Sequence, residues 1–160
     1  MRLAGAAAAC LLAAVLAGCA VAPGPAPRRA PPPAPDQMPE LAAFSAQLSG
    51  REAVPANDSA AQGELVAVLN RNTGLLRWKL RFGGLSGPVR GGAFHSPGMS
   101  GEVAPPVVSL GRSVLSPSEG RAMLTPHQRA DLLTGQWYVN LPTARYPEGE
   151  LRGQLIERRR

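Results

Sequence analysis

Cysteine occurs at only two positions of this 160-residue chain, Cys10 and Cys19, and histidine at only two, His95 and His127. No thiol follows residue 19, which excludes a disulfide framework and any Cys-x-x-Cys motif from the bulk of the chain. Also missing are the glycine patterns that cradle phosphates or dinucleotides and the Gly-x-Ser-x-Gly elbow of serine hydrolases. With so few imidazoles and thiols, the usual nucleophile and base pairs have almost no candidates. Acid pairs do not cluster either. Glu148 and Glu150 could share a strand face, but Arg152 lies beside them, and a structural ion pair explains that spacing. The composition therefore points away from an enzyme and names no cofactor. It describes a chain that offers surfaces rather than reacting groups.

What is present starts with a short positive end, Met1-Arg2, and an apolar run from Leu3 to Leu16 made largely of alanine and leucine. A small-residue exit follows, Leu16-Ala17-Gly18-Cys19, and the whole reads as an export signal over residues 1–18. The exit resembles the lipobox of bacterial lipoproteins, in which the cysteine becomes the acylated first residue. Cys19 is thus the expected lipidation site, and a lipid membrane the expected partner. Ala20 stands where the sorting rule that this resembles would place an aspartate to retain the protein, so the expected address is the outer membrane of the envelope. An uncleaved anchor is the alternative, since 3–22 is about long enough to span a bilayer, although alanine is only weakly apolar. Residues 19–40 are rich in proline and alanine and read as a semi-rigid spacer. The net charge is +6. Export argues against nucleic acid as its counterpart and leaves an anionic envelope glycan or protein as the available one.

Residues 41–160 read as one all-β domain, an antiparallel β-sandwich or Greek-key barrel with one short helix near its C-terminal end. Phe44, Ala46 and Leu48 alternate with polar residues, and Leu65, Val66, Val68 and Leu69 form a second apolar run. The cleanest period-two pattern sets Leu76, Trp78, Leu80 and Phe82 against Arg77, Lys79 and Arg81. It predicts a half-buried strand whose outer face is cationic, either simply solvated or in contact with an anionic glycan or headgroup. Short strands are expected over 105–110 and 121–124, divided by a break at 116–120. Thr125-Pro126 supplies an N-cap and a proline at the first helical position, with Ala130, Leu132 and Leu133 as the inward side and Gly135 past the end. His127 falls in the first exposed turn. A hairpin closes the chain, its strands at 137–141 and 150–156 separated by Pro142, Pro147 and Gly149.

The run Tyr138-Val139-Asn140 followed by Gly149-Glu150-Leu151-Arg152-Gly153-Gln154-Leu155 resembles the closing motif of the CHRD domain, a module named after chordin and found singly in many bacterial exported proteins. Leu48-Ser49-Gly50-Arg51-Glu52-Ala53-Val54-Pro55 resembles its opening motif. The candidate structural or binding residues on these motifs are His95, Tyr138, Asn140, Glu150, Arg152 and Gln154. Typical members carry His-x-His where this chain has Ala93 and His95, and a further histidine where it has Pro142. One imidazole of three remains, too few donors for a metal site of ordinary geometry. The expected function is a non-catalytic, envelope-tethered binding or structural module. The alternative is a metal-binding protein resembling the copper/zinc superoxide dismutases, with a degraded histidine site.

Overall fold

The computed structural model describes residues 40–158. The expected signal segment, Cys19 and the proline-rich stretch lie outside the described residues. Nine strands and one helix follow in the order β1 (Leu41–Ser49), β2 (Gln62–Asn70), β3 (Leu75–Gly83), β4 (Gly92–His95), β5 (Pro106–Gly111), β6 (Ser118–Met123), α1 (Pro126–Leu133), β7 (Tyr138–Leu141), β8 (Leu151–Gln154) and β9 (Ile156–Glu157).

Strands β1 to β3 form because their side chains alternate in a period of two, and their register sets like faces together. Phe44 lies opposite Ala67, and Ala67 opposite Trp78, all three buried. Arg77, Lys79 and Arg81 are exposed on the other face, as the alternation requires. The β2–β3 turn is built by Asn70, whose side-chain oxygen accepts the N–H groups of Asn72 and Thr73, and by Gly74, which takes φ = 80° at no steric cost.

The strand order is β5-β4-β7-β8-β1-β2-β3-β6, with every neighbouring pair antiparallel and β9 pairing with β1. Two halves result, β5-β4-β7-β8 and β1-β2-β3-β6, wrapped around one core as a nearly closed antiparallel barrel or sandwich. Aromatic rings bridge the halves. Trp78 of β3 meets Phe94 of β4 edge to face with centroids 5.1 Å apart, and Phe94 lies 5.7 Å from Trp137. Each fully buried leucine or phenylalanine of this core contributes about 1.5–3 kcal/mol of transfer free energy.

Two local expectations are corrected. Gly120 does not break the chain before a strand but lies inside β6, opposite Trp78. A side chain at Gly120 would collide with the indole, so the glycine makes room for Trp78 rather than for a turn. In α1, the N-cap Thr125 forms a reciprocal capping box with Gln128, but the buried residues are Asp131 and Leu132, while Ala130 is exposed. Burial of Asp131 is made tolerable by the Ser96 hydroxyl, which donates to its carboxylate at 3.0 Å. His127 is exposed, as expected, and faces Asp131 at 3.6 Å.

Candidate functional site

The two halves of the sheet meet where β8 reaches the end of β1, with Ser49 opposite Arg152. Close approach there depends on Gly153, since a Cβ on it would stand 2.5 Å from the Gln47 carbonyl oxygen. Gly149 has φ = 139° and leaves space taken by the Asn140 amide. Asn57 pins the same corner by donating from its side chain to the carbonyl oxygens of Gly149 and Glu150, at 3.1 and 3.2 Å.

Glu150, fully buried, does not pair with Arg152 as the spacing suggested. It precedes β8, and its N–H donates to the Leu141 carbonyl. Its carboxylate accepts from the Ser59 hydroxyl at 2.7 Å, the Ser86 N–H at 2.9 Å, the Ser86 hydroxyl at 2.6 Å and the Thr143 hydroxyl at 2.7 Å. Burial alone would raise its pKa, but the hydrogen bonds from Ser86, Thr143 and Ser59 outweigh that and hold it below the usual glutamate range. The carboxylate ties two separate loops, those of Ser59 and Ser86, to the closing hairpin, and Thr143 adds a bond within the hairpin itself.

On the outer face of β4, β7 and β8 a cleft of about 230 Å³ opens, lined by His95, Tyr138, Asn140, Arg152 and Glu148 with Val54, Val103, Pro142 and Pro147 as apolar walls. The register builds it, with His95 opposite Tyr138, Ala93 opposite Asn140, and Asn140 opposite Arg152. Tyr138 is fixed at its tip, where its hydroxyl accepts the Ala104 N–H at 2.9 Å and donates to the Ala104 carbonyl. The His95 ring stacks on it with centroids 4.9 Å apart and planes 7° from parallel, and the Arg152 guanidinium sits 3.6 Å from its centroid. Both groups are too close to the ring to share a face, so the phenol is sandwiched between them. His95 Nδ1 lies 2.8 Å from the Ala104 carbonyl oxygen, which can only accept, so Nδ1 carries the proton. Burial, with help from the Arg152 charge and against the Ala104 hydrogen bond, holds the imidazole below its ordinary pKa, so it is neutral and presents an unprotonated Nε2.

Of the remaining candidates, Asn140 donates to the Glu148 carbonyl at 2.9 Å and shapes the hairpin tip. Gln154 lies off the cleft and donates to the carbonyls of Gly98 and Gly135, tying a loop to the end of α1. The structure thus brings His95, Tyr138, Asn140 and Arg152 together and sets Glu150 and Gln154 apart. Sequence reasoning missed Asn57, Ser59, Ser86 and Thr143. They lie in loops with no periodicity, and the Asx and Ser turn pattern of 57–59 was the one available signal.

Residues 44–155 match the CHRD domain family. The chain belongs to that family. Among curated proteins and among solved structures, nothing matches it. In this CHRD domain the three positions where the resemblance implies histidine, namely Ala93, His95 and Pro142, fall on two neighbouring strands, Ala93 and His95 on β4 and Pro142 just past β7. Among the described residues no group of three His, Cys, Asp or Glu could hold a metal ion, so the residues present do not fit a metal centre at this place.

Proposed function

We propose that this CHRD domain is a non-catalytic binding module, exported and tethered to the cell envelope by an acylated Cys19. The observation that carries the binding reading is the β4-β7-β8 cleft, where the stacked side chains of His95, Tyr138 and Arg152 are held in place beside an open space. Its one imidazole is hydrogen-bonded at Nδ1 to a backbone carbonyl, not to a hydroxyl that it could activate. The tether rests on the Leu16-Ala17-Gly18-Cys19 exit and the spacer after it. One acyl chain gives only marginal membrane binding, so stable anchoring needs the several chains that a lipidated N-terminal cysteine carries.

Two measurements test the two parts. Cys19→Ser should leave the protein unprocessed or move it out of the membrane fraction, and unchanged mobility and fractionation would remove the tether from the reading. The purified chain should retain an envelope component from an extract in a saturable manner. A chain that retains none is a structural lipoprotein or spacer instead.

A further inference from the structure

Arg152 is 3% exposed, yet it makes no ion pair among the described residues. A guanidinium has five N–H donors. Here one donor is spent within the protein, from Nη2 to the Met99 carbonyl at 2.9 Å, and the group otherwise lies against the Tyr138 ring and lines the cleft. The carboxylates nearest to it in effect, Glu52 and Glu102, are engaged elsewhere: Glu102 accepts the Met99 N–H at 2.9 Å and Glu52 the Ser100 hydroxyl at 3.4 Å. The unspent donors of Arg152 are not sealed in the interior but open on the cleft, and they point to an anion supplied from outside. Across the Tyr138 ring from them, on its other face, stands His95, whose Nδ1 proton is committed to Ala104 and whose Nε2 can accept. Val54, Val103, Pro142 and Pro147 supply apolar wall, and Asn140 and Glu148 are the other polar groups that line the cleft.

We propose that the cleft binds a carboxylate flanked by a hydroxyl donor, the carboxylate on Arg152 and the hydroxyl on His95 Nε2. This rests on the binding-module reading and names its ligand chemistry. An arginine fork matches the two oxygens of a carboxylate, and an acceptor across the Tyr138 ring selects ligands whose hydroxyl donor reaches past the edge of that ring. Two sources carry that chemistry, a uronate unit of an acidic glycan and a free 2-hydroxy acid. The cleft volume of about 230 Å³ admits one such unit rather than a long segment. The exposed Glu148 carboxylate also lines the cleft and opposes any anion there, so the contact with Arg152 has to outweigh it and a ligand with one negative charge is favoured over one with two.

The test is titration of the full chain with glucuronate, lactate and glucose, followed by NMR or calorimetry. Saturable binding of glucuronate or lactate, and none of glucose, is expected, and the tighter of the two acids identifies the source. Arg152→Gln should weaken binding by about tenfold or more. Because that substitution touches a buried group, Val103→Trp serves as the second variant. Val103 is 76% exposed on the cleft wall, so a bulky ring there should block the ligand while the unfolding midpoint stays unchanged. Binding of neither acid, or equal binding by wild type and both variants, overturns the proposal. If the Val103→Trp chain still retains an envelope component while neither acid binds, the module binds elsewhere and only the cleft assignment fails.

Discussion

Four hydrogen bonds converge on the carboxylate of Glu150, from donors 91, 64 and 7 residues away along the chain. Its folded pKa is depressed, so the stabilisation is present above the ordinary glutamate value of about 4.3 and is lost as pH falls through the lower folded value. Glu150→Gln keeps the shape but removes the charge, and it should cost about 1.5–3 kcal/mol at neutral pH. Urea melts at neutral pH and below pH 4 check both statements: the wild type should lose more stability on acidification than the variant does. Equal acid sensitivity would show that this carboxylate is not the group that titrates. Nothing near Glu150 in sequence announces this role. Arg152, two residues on, suggested an ion pair, whereas the real partners come from loops that only the fold brings together. Tyr138 and Arg152 were picked out by motif, but that they stack on one another depends on the register of β7 and β8 and could not be read from spacing.

Single strands were legible where one face is buried and the other wet, because then the period of two is visible in the residues. Strands β1 and β3 satisfy this, and so their inward sets, including Phe44, Trp78 and Leu80, could be named in advance. The apolar run Leu65, Val66, Val68 and Leu69 instead hides the alternation of β2, in which Val66 and Val68 face outward and Ala67 inward. Strand β6 was half missed, since Gly120 within it signals a turn unless one knows that Trp78 lies across it. The pair β8 and β1 raises a sharper question, because they meet over a short stretch where the backbones nearly touch. Gly153→Ala pushes a methyl group into the Gln47 carbonyl, which belongs to a strand and cannot swing aside. A cost of about 1–3 kcal/mol is expected from this overpacking. Ala at Gly87, where a Cβ meets nothing, is the control. Equal urea midpoints for the two variants would mean that β8 can slide outward, and the closing motif would lose its explanation as a close-packed joint.

For the molecule as a whole, all-β architecture and a single helix followed from composition and patterning, while strand order did not, because it is decided by contacts between segments distant in sequence. The opening and closing motifs, from opposite ends of the domain, prove to be the two sides of one joint at the middle of the strand path. The edges of that path, β5 and β6, are consecutive in the chain and joined by 112–117. The other feature of this topology is that β9 returns alongside β1, with the Arg158 N–H donating to the Ala43 carbonyl at 2.8 Å. The described chain is therefore close to being a ring with one unmade peptide link. Circular permutation follows: a short glycine linker from 158 to 40, with new ends opened between 112 and 117, should leave every strand pairing in place and cost no more than about 1 kcal/mol in a urea melt. In such a permutant the joint motifs become neighbours in sequence as they already are in space, and the order in which the chain is synthesised ceases to separate them.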